Sequence, residues 1–484
     1  MKQFISFIVA TIVAGSALAQ SHEHMHIFRN DHQFNTIKGA DVQSISFNGT
    51  SGNYTEMLVE LINGTTNKYP MSSITNVTWR STAIPEFHVN LIAYPDWTEL
   101  QGSKSDVRAA KIRIDGNGMY DDLKEQEVEF RGRGNSSWGM KKKPYRFKMK
   151  KKASVCGLPK AKTFALIANY LDCSQMRNAT ALWLANYFGL PYTNHCIPVK
   201  VYLNGINKGQ YMLTEKIGIG GGSVDIDETK GMLFELDSYY DEDYKFFYSF
   251  KKLFGTTEYK IPVMVKDPDL AELAADPEVT NITDATEYFK LWQEDFSKMA
   301  DAVTQRSSSK SLSDVIDIED AVNFFLVNCI ANNHEMQHPK SLYIHKKSLD
   351  EGEVYHFGPV WDFDWAFTYN GSEGASPTIP LVVSDGDYAG ATFFKYLFAN
   401  KEFRELFKAK FEDFHKNGGY DKLKEFLEQY ANLIEPTSVE NGVLWPKDGS
   451  AIGSYEFRKN FETFKKWIDQ RITYMSTHTN FGLY

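Results

Sequence analysis

Two aspartates one residue apart, Asp362 and Asp364, sit in the stretch VWDFDWAF at 360–367. In extended backbone successive side chains alternate faces, so both carboxylates share one face while Trp361, Phe363 and Trp365 share the other. Two like charges on an aromatic segment need a partner, because an unpaired buried carboxylate is costly. Donors, water or a divalent cation can supply it. Carboxylate oxygens suit a hard ion such as Mg²⁺. Capping a turn, or pairing with Lys and Arg, is the alternative open to the same residues.

A second charged group lies far upstream. RGRGNSSWGMKKKPYRFKMKKK (131–152) is strongly basic, and Tyr145, Phe147 and Met149 alternate with Arg146, Lys148 and Lys150, the pattern of a half-exposed strand. A solvated edge strand kept from aggregating by its lysines shows the same pattern. NYLDCSQMRN (169–178) and NNHEMQHPKSLYIHKK (332–347) add further polar clusters. Phosphoryl transfer from a nucleotide needs cations on the phosphates, metal-binding oxygens, and a carboxylate at the acceptor hydroxyl. Each requirement has a candidate.

These segments resemble the spore coat protein H (CotH) family of atypical, secreted protein kinases. The resemblance runs from about residue 85 to past 370, carried by RGRGNSSW (131–138), KKPYRFK (142–148), NYLDCSQMRN, VYLNGINKGQYMLTEKI (201–217) and FGPVWDFDWAF (357–367). It implies an α+β, divergent protein-kinase-like fold, with ATP and Mg²⁺ or Mn²⁺ as cofactors and serine of an extracellular or surface protein as acceptor. It also implies Lys148, or else Lys143 or Arg146, on the nucleotide phosphates, with Arg131 and Arg133 able to grip them through two donors each. Asp362 matches the metal-binding position, with Asp364 as second ligand. Arg177, Asn178 and Glu215 match positions that organise the ATP site. Where the family carries a catalytic Asp this chain has Glu335, whose extra methylene displaces the charge by about 1 Å, a scale to which catalytic placement is sensitive. His334 and His338 are alternative bases, and Asn333 or Ser341 could assist the metal.

The elements that must position these groups can be read along the chain. MKQFISFIVATIVAGSALAQ has a basic start, a short apolar core and small residues before Gln20, as in a signal peptide spanning 1–19. No later segment has the length of a membrane span. The expected location is secreted, periplasmic or cell surface. Residues 20–84 alternate between short apolar runs and turns, which predicts a small β-rich module; the kinase-like domain then covers 85–484. Within it, Asp172 and Gln175 resemble a capping box before a helix through Tyr187, and IPVKVYLNG with KGQYMLTEKI predicts a hairpin with a loop longer than two residues. Residues 218–310 read as an insertion whose GIGGGS start lacks the ending of a phosphate loop and reads as a flexible connection. Residues 317–334 predict an amphipathic helix, SLYIHKK and VYHFGPVWDFDW two strands, and the part from 391 to 484 a helical end.

At 484 residues, 42% hydrophobic, the chain can bury two or three cores. Its 53 basic against 62 acidic residues, net charge -9, exclude the broad positive surface of a nucleic-acid binder. Four cysteines without a CxxC pair form neither a zinc spacing nor a dense disulfide framework. Two other readings compete with the kinase: a catalytically inactive relative serving as a surface adhesion or structural protein, and a metal-assisted hydrolase. The hydrolase leaves the basic strand without a role and lacks the HExxH ligand set.

Overall fold

The computed structural model describes residues 24–29, 34–80, 82–237, 245–254, 257–304, 311–337, 339–369, 376–381, 389–446 and 456–478. The expected signal peptide at 1–19 and His338 lie outside the described residues.

The first strands build two small sheets. His24–Arg29 pairs with Phe34–Lys38 and Ile74–Arg80, and Asn53–Leu61 with Val42–Thr50 and Thr66–Pro70. Met25, Ile27, Met57, Val59 and Val77 fill a core of their own. His26 is buried there, bonding Thr36 Oγ1 at 3.1 Å and the Arg80 carbonyl at 3.2 Å.

A closed barrel of seven strands follows, from Glu86–Leu91 to Ile206–Glu215. It joins antiparallel throughout except where Glu86–Leu91 runs parallel to Ile197–Leu203. The basic segment forms the strand Tyr145–Ala153 as expected from its alternation: Tyr145, Phe147 and Met149 are buried in the barrel core, whereas Arg146 and Lys148 are partly exposed. Closure removes the free edges that an open sheet leaves. The mixture of sheets and helices matches the α+β expectation; the barrel itself was not legible, since alternation reveals a half-buried strand but not the curvature of its sheet.

A five-stranded sheet has the order Phe246–Phe254, Thr257–Asp267, Met232–Leu236, Leu342–Lys346, His356–Phe357. Three of its five strands come from 218–310, so that stretch is woven into the sheet rather than hanging outside it. The helices Arg177–Tyr187, Ala285–Val303, Ile318–Ala331, Lys401–Lys416, Gly419–Leu444 and Phe457–Thr477 share its large core. Phe325 meets Phe394 and Phe403 edge to face, with ring centres 5.3 and 5.4 Å away, and each such buried side chain contributes roughly 1.5–3 kcal/mol. No helix among the described residues is long and apolar enough to cross a membrane.

Three local expectations change. The hairpin between Leu203 and Ile206 has a two-residue turn, with Asn204 at φ 47° and Gly205 at φ 77°, the doubly left-handed turn that Asn-Gly favours. Asp172 does not form a capping box with Gln175; its Oδ2 accepts the Arg177 N–H at 2.9 Å, five residues on. VWDFDW is not a strand: Asp362 is left-handed, at φ 61°.

Candidate active site

The aspartate loop is held from beneath by the helix Arg177–Tyr187. Asn178 is buried and bridges it twice: its Nδ2 donates to Asp364 Oδ1 at 3.2 Å, and its Oδ1 accepts the Phe363 N–H at 3.1 Å. Arg177, fully buried, donates to the Asp364 carbonyl at 2.7 Å, lies 3.8 Å from Asp172, and stacks over Tyr369. A buried arginine needs this many acceptors to offset its desolvation. Both residues therefore position the loop.

Asp362 and Asp364 are partly accessible, yet the surrounding protein desolvates both strongly. Burial raises the pKa of Asp362, opposed by Arg133 and Lys340. Burial, then the neighbouring Asp362, pushes Asp364 up to about 7, with Arg177 opposing. Glu335, in the turn after the helix Ile318–Ala331, is buried, and its backbone N–H donates to Asn333 Oδ1 at 3.2 Å. Burial, with Asp362, Asp237 and Asp364 adding to it, pushes Glu335 up to about 8 against the pull of Lys340. Crowded carboxylates that resist ionising form a hard-oxygen set which a divalent cation relieves. Carboxylate oxygens are the donors that Mg²⁺ and Mn²⁺ take, although among the described residues the His, Cys and carboxylate ligand atoms that gather within 4.8 Å of one another as a group of three are those of Asp317, Asp320 and His356.

The cations arrive from the barrel. Arg133 lies over the Trp361 ring at 5.3 Å; burial lowers its pKa while Asp362, Tyr343 and Asp364 support the charge. Arg146 is likewise desolvated and feels Arg131 and Arg133. Lys216, just past the strand Ile206–Glu215, is lowered by burial and surrounded by Asp267, Arg146, Lys266 and Arg131. Lys266 pairs with the buried Glu235 at 2.6 Å. The glycine stretch closes beside this group as a hydrogen-bonded turn rather than a loose connection: Gly220 N–H reaches the Val224 carbonyl at 2.7 Å, and Ile219 N–H reaches Asp267 at 2.7 Å. Ile217, Val224, Leu233 and Tyr343 pack with Trp361 in one small apolar cluster, which fixes the turn against the aspartate loop.

The expected residues thus separate. Arg133 lies within the field of Asp362 and Asp364, Arg131 and Arg146 neighbour one another and Arg146 feels Arg133, and Glu335 feels Asp362 and Asp364. Lys148 lies 3.7 Å from Glu129 on the barrel's outer face. Lys143 donates to the Trp138 carbonyl at 2.7 Å. Glu215 is buried and engaged by His195, through the backbone N–H at 2.9 Å and through Nδ1. Asn333 is occupied by Asn328 and the Glu335 N–H. Sequence reasoning missed Lys216, Lys266 and Lys340, which sit in segments it quoted or crossed. Only Lys216 had a signal, as the residue after Glu215 at a strand end.

A mixed fold thus brings Arg133 of the barrel to the loop that carries Asp362 and Asp364. A model of the CotH kinase protein family matches residues 128–475, and the chain belongs to that family. No curated protein matches the chain.

Proposed function

We propose that the aspartate loop and the cations beside it are the phosphotransfer site of an exported protein kinase, taking the γ-phosphate of ATP to a serine of an extracellular or surface protein. The observation that supports it is the meeting of Arg133 with Asp362 and Asp364 at one desolvated point. The barrel and the five-stranded sheet with its helices are read as the two lobes of a divergent kinase-like fold, with the nucleotide between them.

Arg131, Arg133, Arg146, Lys216 and Lys266 hold the phosphates, the arginines through paired donors and the lysines as point charges. Asp362 and Asp364 hold the metal. Bound there, Mg²⁺ or Mn²⁺ neutralises charge between protein carboxylates and phosphate oxygens. Glu335 orients the acceptor hydroxyl and takes its proton, a role that suits a carboxylate poised near the working pH. Lys340, which stabilises the ionised forms of Glu335 and Asp362, keeps the base chargeable.

A second reading is a catalytically inactive surface adhesion or structural protein. Glu335 favours it, because a carboxyl held at about 8 is largely protonated at neutral pH. Incubating the purified protein with γ-labelled ATP, Mg²⁺ or Mn²⁺ and a casein-like acceptor separates the two. The kinase labels serine in itself or the acceptor, and Asp362→Ala abolishes it. Absence of label, with ligand binding unchanged in Asp362→Ala, leaves the second reading.

A further inference from the structure

The strand Tyr145–Ala153 ends in lysines for which phosphotransfer has no use. Lys151 and Lys152 are exposed, as are Lys160 and Lys162 where the next strand, Ala161–Ile167, begins. Ala153 pairs with Ala161, which brings the two pairs of lysines together at one rim of the barrel. The ladder is irregular there: Lys148 faces Thr163 and Ala153 faces Ala161, so residues 149–152 stand opposite Lys162 alone. A bulge of this kind bends a strand and re-aims its side chains.

Like charges set side by side destabilise a sheet. The neighbouring strand offsets only part of the row. Lys148 lies 3.7 Å from Glu129 and Lys150 2.5 Å from Glu127, while Glu125 is taken by Lys111 at 3.1 Å. Among the described residues Lys151, Lys152, Lys160 and Lys162 make no ion pair and no side-chain hydrogen bond. Lysines on an open edge strand discourage aggregation, but this barrel is closed and both strands have a partner on each side. No edge is left to protect. In a chain of net charge -9, four unopposed cations at one rim select an anionic partner.

The rim adjoins the candidate site. Glu215 pairs with Phe164, so Lys216 leaves the barrel beside the end from which Lys162 projects. The glycine turn packs on the same end: a Cβ added to Gly222 would lie 2.9 Å from the Ala161 Cβ and 3.6 Å from the Lys160 carbonyl. Val224 of that turn shares its apolar cluster with Trp361. None of the exposed residues in 150–162 is aromatic. Membrane-surface helices and single-stranded nucleic-acid grooves set aromatic or apolar side chains among their cations, whereas a run of carboxylates needs only point charges on flexible stems.

On the phosphotransfer reading of the neighbouring site, we propose that this lysine rim docks an acidic segment of the acceptor protein, next to the serine.

Fluorescence anisotropy of the full chain with a labelled peptide of serine flanked by aspartates, beside the same peptide flanked by alanines or by lysines, tests it without nucleotide. The aspartate peptide should bind and the other two far more weakly, and high salt should release it. The double variants Lys151→Glu with Lys152→Glu, and Lys160→Glu with Lys162→Glu, should each weaken binding about tenfold, the combined effect of a few exposed ion pairs. All four side chains are exposed, so the variants fold. With γ-labelled ATP, the same variants should raise KM for the aspartate peptide and leave kcat and transfer to the alanine peptide as they were. Selective binding of the aspartate peptide without any transfer counts against the kinase reading alone and leaves the docking surface standing. Equal binding of the three peptides, no binding, binding unaltered in both double variants, or preference for anionic lipid vesicles or single-stranded DNA over the aspartate peptide overturns the proposal.

Discussion

The Arg133 guanidinium carbon lies 5.3 Å from the centre of the Trp361 ring. Barrel and aspartate loop therefore meet through a cation held over an aromatic face, one residue from Asp362. A desolvated contact of this kind contributes about 2 kcal/mol, and it keeps the charge where a phosphate and a carboxylate can both reach it.

Arg133→Ala should weaken ATP binding in the presence of Mn²⁺ by about 10- to 100-fold, the range for losing hydrogen bonds to a charged group. Arg133→Lys should recover only part of the loss, because a lysine cannot grip two oxygens. Equilibrium titration of both variants checks this. Lys148→Ala, out on the barrel beside Glu129, should change affinity far less.

Metal and pH should be linked. Asp364 at about 7 and Glu335 at about 8 lie above their usual range. In the folded protein they keep protons that the unfolded chain releases, so the stability they contribute is present below about pH 4 and is lost as pH rises through 7 and 8. Mn²⁺ should therefore raise the melting temperature more at pH 8.5 than at pH 6. Thermal unfolding with metal or chelator at the two pH values reads it. An equal metal effect in Asp362→Ala contradicts the assignment.

Asn178→Ala should destabilise the protein by about 1–3 kcal/mol, since it orphans a buried backbone N–H and removes a bond to Asp364. Denaturant unfolding gives the number. Phosphotransfer should fall further than stability explains, because the aspartate loop loses its prop.

Acid should act with the opposite sign on two buried histidines. Burial lowers His26 and His345 to about 4. Their contribution is complete above about pH 6.5 and is lost as pH falls from 6.5 towards 4, by on the order of 3 kcal/mol each at most. Denaturant unfolding at pH 7 and pH 4.5 should show the loss, and His26→Gln should reduce it.

Much of this was legible because charge and aromatic content coincide in the segments concerned. Alternation around Phe147 identified the basic strand, and the pair Asp362 and Asp364 identified the acidic loop. The choice between Arg146 and Lys148 was not legible. Both lie on the same side of one strand, and the register with the neighbouring strand Leu123–Gly132 sets the first opposite Arg131 and the second opposite Glu129. The conformation of the acidic loop was hidden because a left-handed Asp362, in a loop that Asn178 holds through Phe363 and Asp364 from nearly two hundred residues away, leaves no local trace. Lys216 and Lys266 gain their place from sheet topology alone. Glu215 drew notice as a carboxylate on an apolar face, and its partner proved to be His195, contributed by the segment leading into the neighbouring strand.

The central claim is that barrel cations and loop carboxylates grip one nucleotide together. Titrating ATP into the wild-type chain, Arg133→Ala and Asp362→Asn, each with Mn²⁺ and with chelator, tests it most directly. The account predicts metal-dependent binding that both substitutions weaken, with the double variant losing less than the two single losses combined, since both act on the same ligand. ATP binding that is independent of metal and untouched by either change would contradict it.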